Sequence, residues 1–325
     1  MTTYRTVKGY NIKKVSSDPA NVKEGQIWYN STVKTIKVAP NIAAWASGGD
    51  LNTGRQELGG CGIQTAGLAF GGSTDGAVRD ETEEYDGTSW TESGDLSQAR
   101  NFAASAGTQT AGLYAGGQSA DGNTIYTNTE EYGGATWTAG GALPAAKSNW
   151  CGLGIQTAAL ALAAQNNAAA LVNVEAYDGS SWSEGPNINT GRKDAAAAGT
   201  STAGLLVCGS APSVPGRVVH VEEWNGTAWS EQADYPTALN ELGGSGTQTD
   251  SIFFGGGAPS KQTLAALYNG TAFAVTGSLA TANGQMGTSK GTSTALSFGG
   301  NGPPTYRVQT EEFTIAATTR TVDVS

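Results

Sequence analysis

A tryptophan, a glycine pair and a tyrosine recur six times along this chain at nearly fixed spacing, which leaves it few folds. The Trp-type marks are Trp45, Trp90, Trp137, Trp182, Trp229 and Phe273. The glycine-type marks begin at Gly71, Gly116, Ala163, Cys208, Gly255 and Gly299, each 26 residues after a Trp-type mark. The Tyr-type marks are Tyr85, Tyr132, Tyr177, Trp224, Tyr268 and Phe313, and after each of the first five a Trp-type mark follows at 5 residues. Only the glycine-to-tyrosine interval varies, from 13 to 16 residues. A period of 44–47 residues is one supersecondary unit copied around a ring or along a stack. Length variation confined to one loop marks the place where binding is expected.

Residues 99–143 show the unit. Asn101 to Ala106 is a run of small residues, Gly107 to Thr110 a turn, and Ala111 to Ala115 an apolar strand ended by Gly116-Gly117. After a polar loop, Thr127 to Tyr132 alternates as a half-buried strand does. Gly133-Gly134 then turns the chain back through Trp137. Asp86-Gly87, Asp178-Gly179, Asn225-Gly226 and Asn269-Gly270 stand at the same place in other repeats, and such pairs supply the positive φ of two-residue hairpin turns. Each repeat therefore reads as four antiparallel strands, the size of a propeller blade.

A double glycine, a Tyr about fourteen residues later and a Trp five beyond it resembles the Kelch repeat. The resemblance covers about residues 41–315 and implies an all-β, six-bladed Kelch-like β-propeller of four-stranded antiparallel blades. Ala163-Ala164 and Cys208-Gly209 depart from the double glycine. The first mark, Trp45, lacks three strands before it, and the last, Phe313, lacks a Trp after it. The sixth blade is complete only if the Trp45 strand joins the C-terminal three, a closure that removes free sheet edges. The expected domains are an N-terminal arm, residues 1–40, and a propeller, residues 41–325.

Kelch-type propellers include galactose oxidase, whose copper needs histidine ligands. This chain has a single histidine, His220, in an apolar-rich strand, so no cofactor or metal is expected. The pairs Glu83-Glu84, Glu130-Glu131, Glu222-Glu223 and Glu311-Glu312 resemble catalytic carboxylates, but adjacent strand residues point to opposite faces. Their recurrence favours structure, with Arg55, Arg100, Lys147 and Arg192 as the expected counter-charges; the fifth repeat lacks both partners, carrying Leu239 and Ala265-Ala266. Cys61, Cys151 and Cys208 occupy three different repeat positions and form no framework of disulfides. The chain reads as non-enzymatic.

Charge separates the arm from the rest. Residues 1–40 hold seven basic and two acidic residues, net +5, and the remainder 11 basic and 26 acidic, net −15. An acidic repeat region repels phosphates, so nucleic acid is not an expected partner. No stretch has the length of an apolar membrane span. No apolar core of signal-peptide type precedes Val15, and synthesis in a host cytoplasm is expected.

Within the arm, Gly25 to Val38 reads as a β-hairpin turning near Asn30-Ser31. Its segment Glu24-Gly25-Gln26-Ile27-Trp28-Tyr29-Asn30-Ser31-Thr32 resembles one found in virion and tail-fibre proteins of tailed bacteriophages. That resemblance implies a structural protein of a phage particle, located in the virion. The arm, through Lys8, Lys13, Lys14, Trp28 and Tyr29, would meet other virion proteins or a second copy. The propeller would meet a cell-surface glycan or receptor. A free-standing carbohydrate- or protein-binding propeller is the alternative, and a degenerate Kelch-type enzyme a third. The expected contact residues lie in the variable loops: Arg79, Asp121, Asn123, Tyr126, Arg217, Tyr306 and Arg307, with Asp75, Asn166, Asn167 and Lys261 beside them.

Overall fold

A computed structural model describes residues 12–19, 26–38, 41–166, 169–211, 216–257, 259–291, 294–302, 305–317 and 320–322. The described residues form strands and turns and no helix. They fall into two compact units, Trp45–Phe313 and a smaller one made of Met1–Ala44 with Thr314–Ser325.

The larger unit is all-β and propeller-like. Among the described residues it contains six four-stranded sheets, one per repeat. The second is typical: Ala104–Thr108, Ala111–Ala115, Thr129–Tyr132 and Trp137–Ala139 follow one another in sequence and in space. Every neighbouring pair is antiparallel, with Ala104 opposite Ala115, Leu113 opposite Glu131 and Tyr132 opposite Trp137. The first strand starts three residues later than its run of small side chains suggests, because Phe102 takes a left-handed φ of 55°. The sixth sheet is assembled from both ends of the repeat region: Gly287–Thr288, Thr294–Phe298, Thr310–Ala317 and, at its edge, Asn41–Ser47, the strand of Trp45.

Successive sheets pack through apolar wedges. Leu113, Ala115, Trp150, Ala159, Tyr177 and Trp182 join the second sheet to the third. Leu51, Leu58, Ala69, Tyr85, Trp90, Leu296 and Phe298 join the sixth to the first. Trp45 meets Phe254 of the fifth sheet at 4.7 Å between ring centroids. Burying such rings is the main stabilising term, since truncating a core Phe or Trp costs about 3–5 kcal/mol.

The Glu pairs divide between two jobs, as strand alternation dictates. In three of the pairs the first glutamate is buried against a cation from the preceding linker: Arg55 with Glu83 at 2.9 Å, Arg100 with Glu130 at 2.5 Å and Arg192 with Glu222 at 2.5 Å, whereas Glu311 accepts the N–H groups of Ala280 at 2.7 Å and Thr281 at 3.3 Å. Lys147 meets Glu175 in the same way at 2.5 Å. The other oxygen often accepts a linker N–H, Asn52 to Glu83 or Ser97 to Glu130, each at 2.7 Å. The second glutamate faces the next sheet. Glu312 accepts the Tyr85 hydroxyl at 2.6 Å, Glu223 that of Tyr268 at 3.0 Å, and Glu84 and Glu131 those of Tyr132 and Tyr177.

The smaller unit is one four-stranded sheet, in the order Lys13–Val15, Ile27–Asn30, Thr35–Val38 and Arg320–Val322. The hairpin pairs Ile27 with Val38 and Asn30 with Thr35. Lys13 runs parallel beside Trp28, and Ile36 pairs with Val322. Sequence reasoning assigned the C-terminal residues to the repeats; the structure gives their last described strand to this sheet. Asp18 is its hub, accepting from Trp28 Nε1 at 3.0 Å, Asn30 Nδ2 at 2.7 Å and Lys37 Nζ at 2.9 Å. These donors hold its carboxyl down at about 2.

Candidate functional site: the loop-bearing end of the repeat unit

Each linker between sheets ends on a residue with left-handed backbone, twelve positions after the Trp-type mark: Glu57, Phe102, Asn149, Asp194, Glu241 and Gln285, with φ between 54° and 61°. A non-glycine residue pays roughly 1–2 kcal/mol for that conformation. The return is a chain of hydrogen bonds from linker to linker. Glu57 N donates to Gln285 O at 2.8 Å, Phe102 N to Glu57 O at 3.2 Å, Glu241 N to Asp194 O at 2.7 Å and Gln285 N to Glu241 O at 3.1 Å. The residue just before each ring position bridges the one just after the glycine pair, as in Gln56 with Ser73, Asn101 with Gln118, Ser148 with Gln165 and Gly284 with Asn301. Ring and variable loops therefore share one end of the repeat unit.

The six ring side chains converge on a cavity of about 100 Å3. Its walls are Glu57, Asp194 and Glu241, the amides of Asn149 and Gln285, and the ring of Phe102. Leu58, Ala103, Trp150, Ala195, Leu242 and Met286, one from each following position, complete the lining. Glu57 is held by neutral donors: Gln56 at 3.0 Å, Ser73 at 2.8 Å and Asn101 at 2.6 Å. Asn149 donates to Asp194 at 2.6 Å, and Lys261 pairs with Glu241. Burial raises the proton affinity of Glu57 and of Asp194, and neighbouring carboxylates of the ring add to it, Glu241 acting on both.

None of the described loop residues expected from sequence lines this cavity, and their freedom is unequal. Asp75 is exposed at the tip of a small hairpin, Ser73–Thr74 against Ala77–Val78. Arg79 is half-buried and lies 3.5 Å from Glu81. Asp121 and Asn123 are exposed in one turn, where Asp121 accepts from Ser119 Oγ at 2.6 Å and Asn123 N at 3.1 Å, drawing its carboxyl down to about 2. Tyr126 is half-buried, its N–H bonded to Gly117 O at 2.9 Å. Arg217 is exposed, with Nε on Asn240 Oδ1 at 2.8 Å. Lys261 turns inward to Glu241. Tyr306 is half-buried, whereas Arg307 is buried with a guanidinium nitrogen on Ala282 O at 3.0 Å. Asn167 and Lys8 lie outside the described residues. In the small sheet Lys13 and Lys14 are exposed, Tyr29 is half-buried, and Trp28 is fully buried as that sheet's core.

Sequence reasoning missed the ring because its six members share no chemical type. Their fixed offset from the Trp-type mark was the available signal. Among the described residues no group of three or more His, Cys, Asp or Glu is arranged to hold a metal. Burial pushes the Cys61, Cys151 and Cys208 thiols up to about 12, far from thiolate reactivity. No protein-family model matches the chain, and no curated protein matches it significantly.

Proposed function

We propose that the repeat unit is a six-bladed Kelch-like propeller closed by the Trp45 strand, and that the chain is a non-enzymatic structural protein of a bacteriophage particle. The small sheet carries it on other virion proteins, and the loop-bearing end meets a cell-surface glycan or receptor. Closure is supported by the contacts between sixth and first sheets and by Lys290, which reaches from the sixth sheet to Gly152 O of the third at 3.4 Å, as opposite members of a ring of six would allow. The observation that carries the binding role is a coincidence in space. The loops that vary in length and the concave cavity occupy one end, which is where recognition sites concentrate on rigid scaffolds. The paired glutamates support a non-catalytic reading, because both members serve as inter-strand and inter-sheet contacts.

The virion assignment rests on the resemblance of Glu24 to Thr32. Mass spectrometry of purified particles checks it, and particles without this chain would refute it. For the binding face, Tyr126→Ala with Tyr306→Ala should cut attachment of the chain to cells while leaving its melting temperature near wild type. Unchanged attachment would move the binding surface elsewhere.

A further inference from the structure

The ring cavity has a composition more specific than a surface loop. Three acidic residues, from the first, fourth and fifth repeats, line it together with six apolar residues. Two lysines answer part of that charge: Lys261 pairs with Glu241, and Lys193 lies 3.9 Å from Asp194. Glu57 has hydrogen-bond donors that are all neutral among those described. A site of this kind offers a cation one carboxylate without a counter-charge and the half-buried ring of Phe102 for a cation–π contact. A bare metal ion suits it poorly, since among the described residues no three His, Cys, Asp or Glu side chains are arranged to hold one. An organic cation with a short alkyl stem matches both halves. The volume, about 100 Å3, admits a headgroup and not a drug-sized molecule.

We propose that the ring cavity binds a small organic monocation, the ammonium or guanidinium headgroup of a lysine, an arginine or a free alkylamine, with Glu57 as its principal counter-charge and Phe102 as its aromatic wall. Lys290 is outside the lining; its ammonium hydrogen-bonds Gly152 O at 3.4 Å, two residues along from Trp150. Burial also lowers the proton affinity of that ammonium. The inference rests on the binding role proposed for this end of the molecule and names the chemistry its centre would take.

The test is calorimetric titration of the full chain with n-butylammonium, with a peptide containing one lysine, and with n-butanol as the neutral isostere. Both cations should bind, the alcohol should not, and binding should weaken with salt. Glu57→Gln should weaken cation binding by between roughly fivefold and a thousandfold, the range that a unit charge about 4 Å away spans between bulk water and a protein surface. Asp194→Asn should act in the same direction. Tighter binding of the peptide than of the amine identifies a macromolecular source, and equal binding a free amine; both uphold the proposal. It is overturned if neither cation binds, if the alcohol binds as well, or if Glu57→Gln, folded by its melting curve, binds like wild type. The attachment assay with Tyr126→Ala and Tyr306→Ala separates the two readings. If attachment needs those tyrosines while the cations fail to bind, the cavity inference falls and the binding face stands.

Discussion

Removing the carboxylate of Glu130 should be among the most damaging single changes to the repeat unit, and removing its partner as well should undo most of the damage. Arg100 is fully buried and Glu130 nearly so. The guanidinium donates to Glu130 at 2.5 Å, to Gln98 O at 3.1 Å and to Tyr114 O at 3.1 Å, and lies 4.7 Å over the Tyr114 ring. In Glu130→Ala the two carbonyls remain, but no negative charge faces the buried cation, and Ser97 N loses its acceptor. Breaking a buried pair from one side costs about 3–5 kcal/mol. A unit of this size loses about 2 °C of melting temperature per kcal/mol, so a drop of about 6–10 °C is expected. The chain itself shows the alternative. At the equivalent positions of the fifth repeat stand Leu239 and Ala266, both fully buried in one apolar cluster. Arg100→Leu with Glu130→Ala copies that pair, and replacing a buried ion pair by apolar groups is often close to neutral. Urea unfolding followed by tryptophan fluorescence on the wild type, both single variants and the double variant gives the coupling. A Glu130→Ala cost under about 1 kcal/mol, or a double variant as unstable as the sum of the singles, would refute the reasoning.

Other outcomes follow from the same contacts. Gly116→Ala should cost about 2–4 kcal/mol, because φ there is +72° and a Cβ would lie 2.9 Å from Lys147 O, combining backbone strain with overpacking; a wild-type melting curve would contradict this. The Tyr85, Tyr132, Tyr177 and Tyr268 hydroxyls are pushed up to about 12, by burial first and then by the carboxylates they donate to. Unfolded tyrosine ionises near pH 10, so the folded state holds more protons above that pH and stability should fall as pH rises from about 10 toward 12. Tyr132→Phe should flatten the fall, and a urea midpoint that stays constant across that range would count against the contacts. Deleting residues 41–50 takes the edge strand from the sixth sheet and should abolish cooperative unfolding; a truncated chain with an unchanged transition would rule out closure by the Trp45 strand.

The tyrosine contacts show how far the sequence reaches. Where a repeat has Tyr85, Tyr132, Tyr177 or Tyr268, the preceding repeat carries Glu312, Glu84, Glu131 or Glu223. Where the hydroxyl is missing the carboxylate is missing too: Trp224 follows Ala176, and Phe313 follows Leu267. Three of the tryptophans behave likewise, though Trp229, after Val174, donates to Pro186 O at 3.1 Å instead. Trp90, Trp137 and Trp182 donate to Thr310, Thr82 and Thr129 of the preceding repeat, while Phe273, with no donor, follows Val221. This matching is written in the chain, but it reads as inter-sheet contact only once the order of sheets is known.

The sequence alone determined the repeat, its four strands, its hairpin turns and the cations that face the glutamates. Those features follow from local alternation and from turn chemistry within a few residues, and a sixfold repetition makes each legible several times over. Two features needed the tertiary structure. The three-residue strand Arg320–Val322 joins the arm sheet across almost the whole chain length, and so short a segment carries no pattern to announce its partner. The ring of Glu57, Phe102, Asn149, Asp194, Glu241 and Gln285 is defined by a backbone angle and by convergence on one cavity. Neither property belongs to any side-chain type, so only the packing of six sheets against one another could bring these residues together as a site.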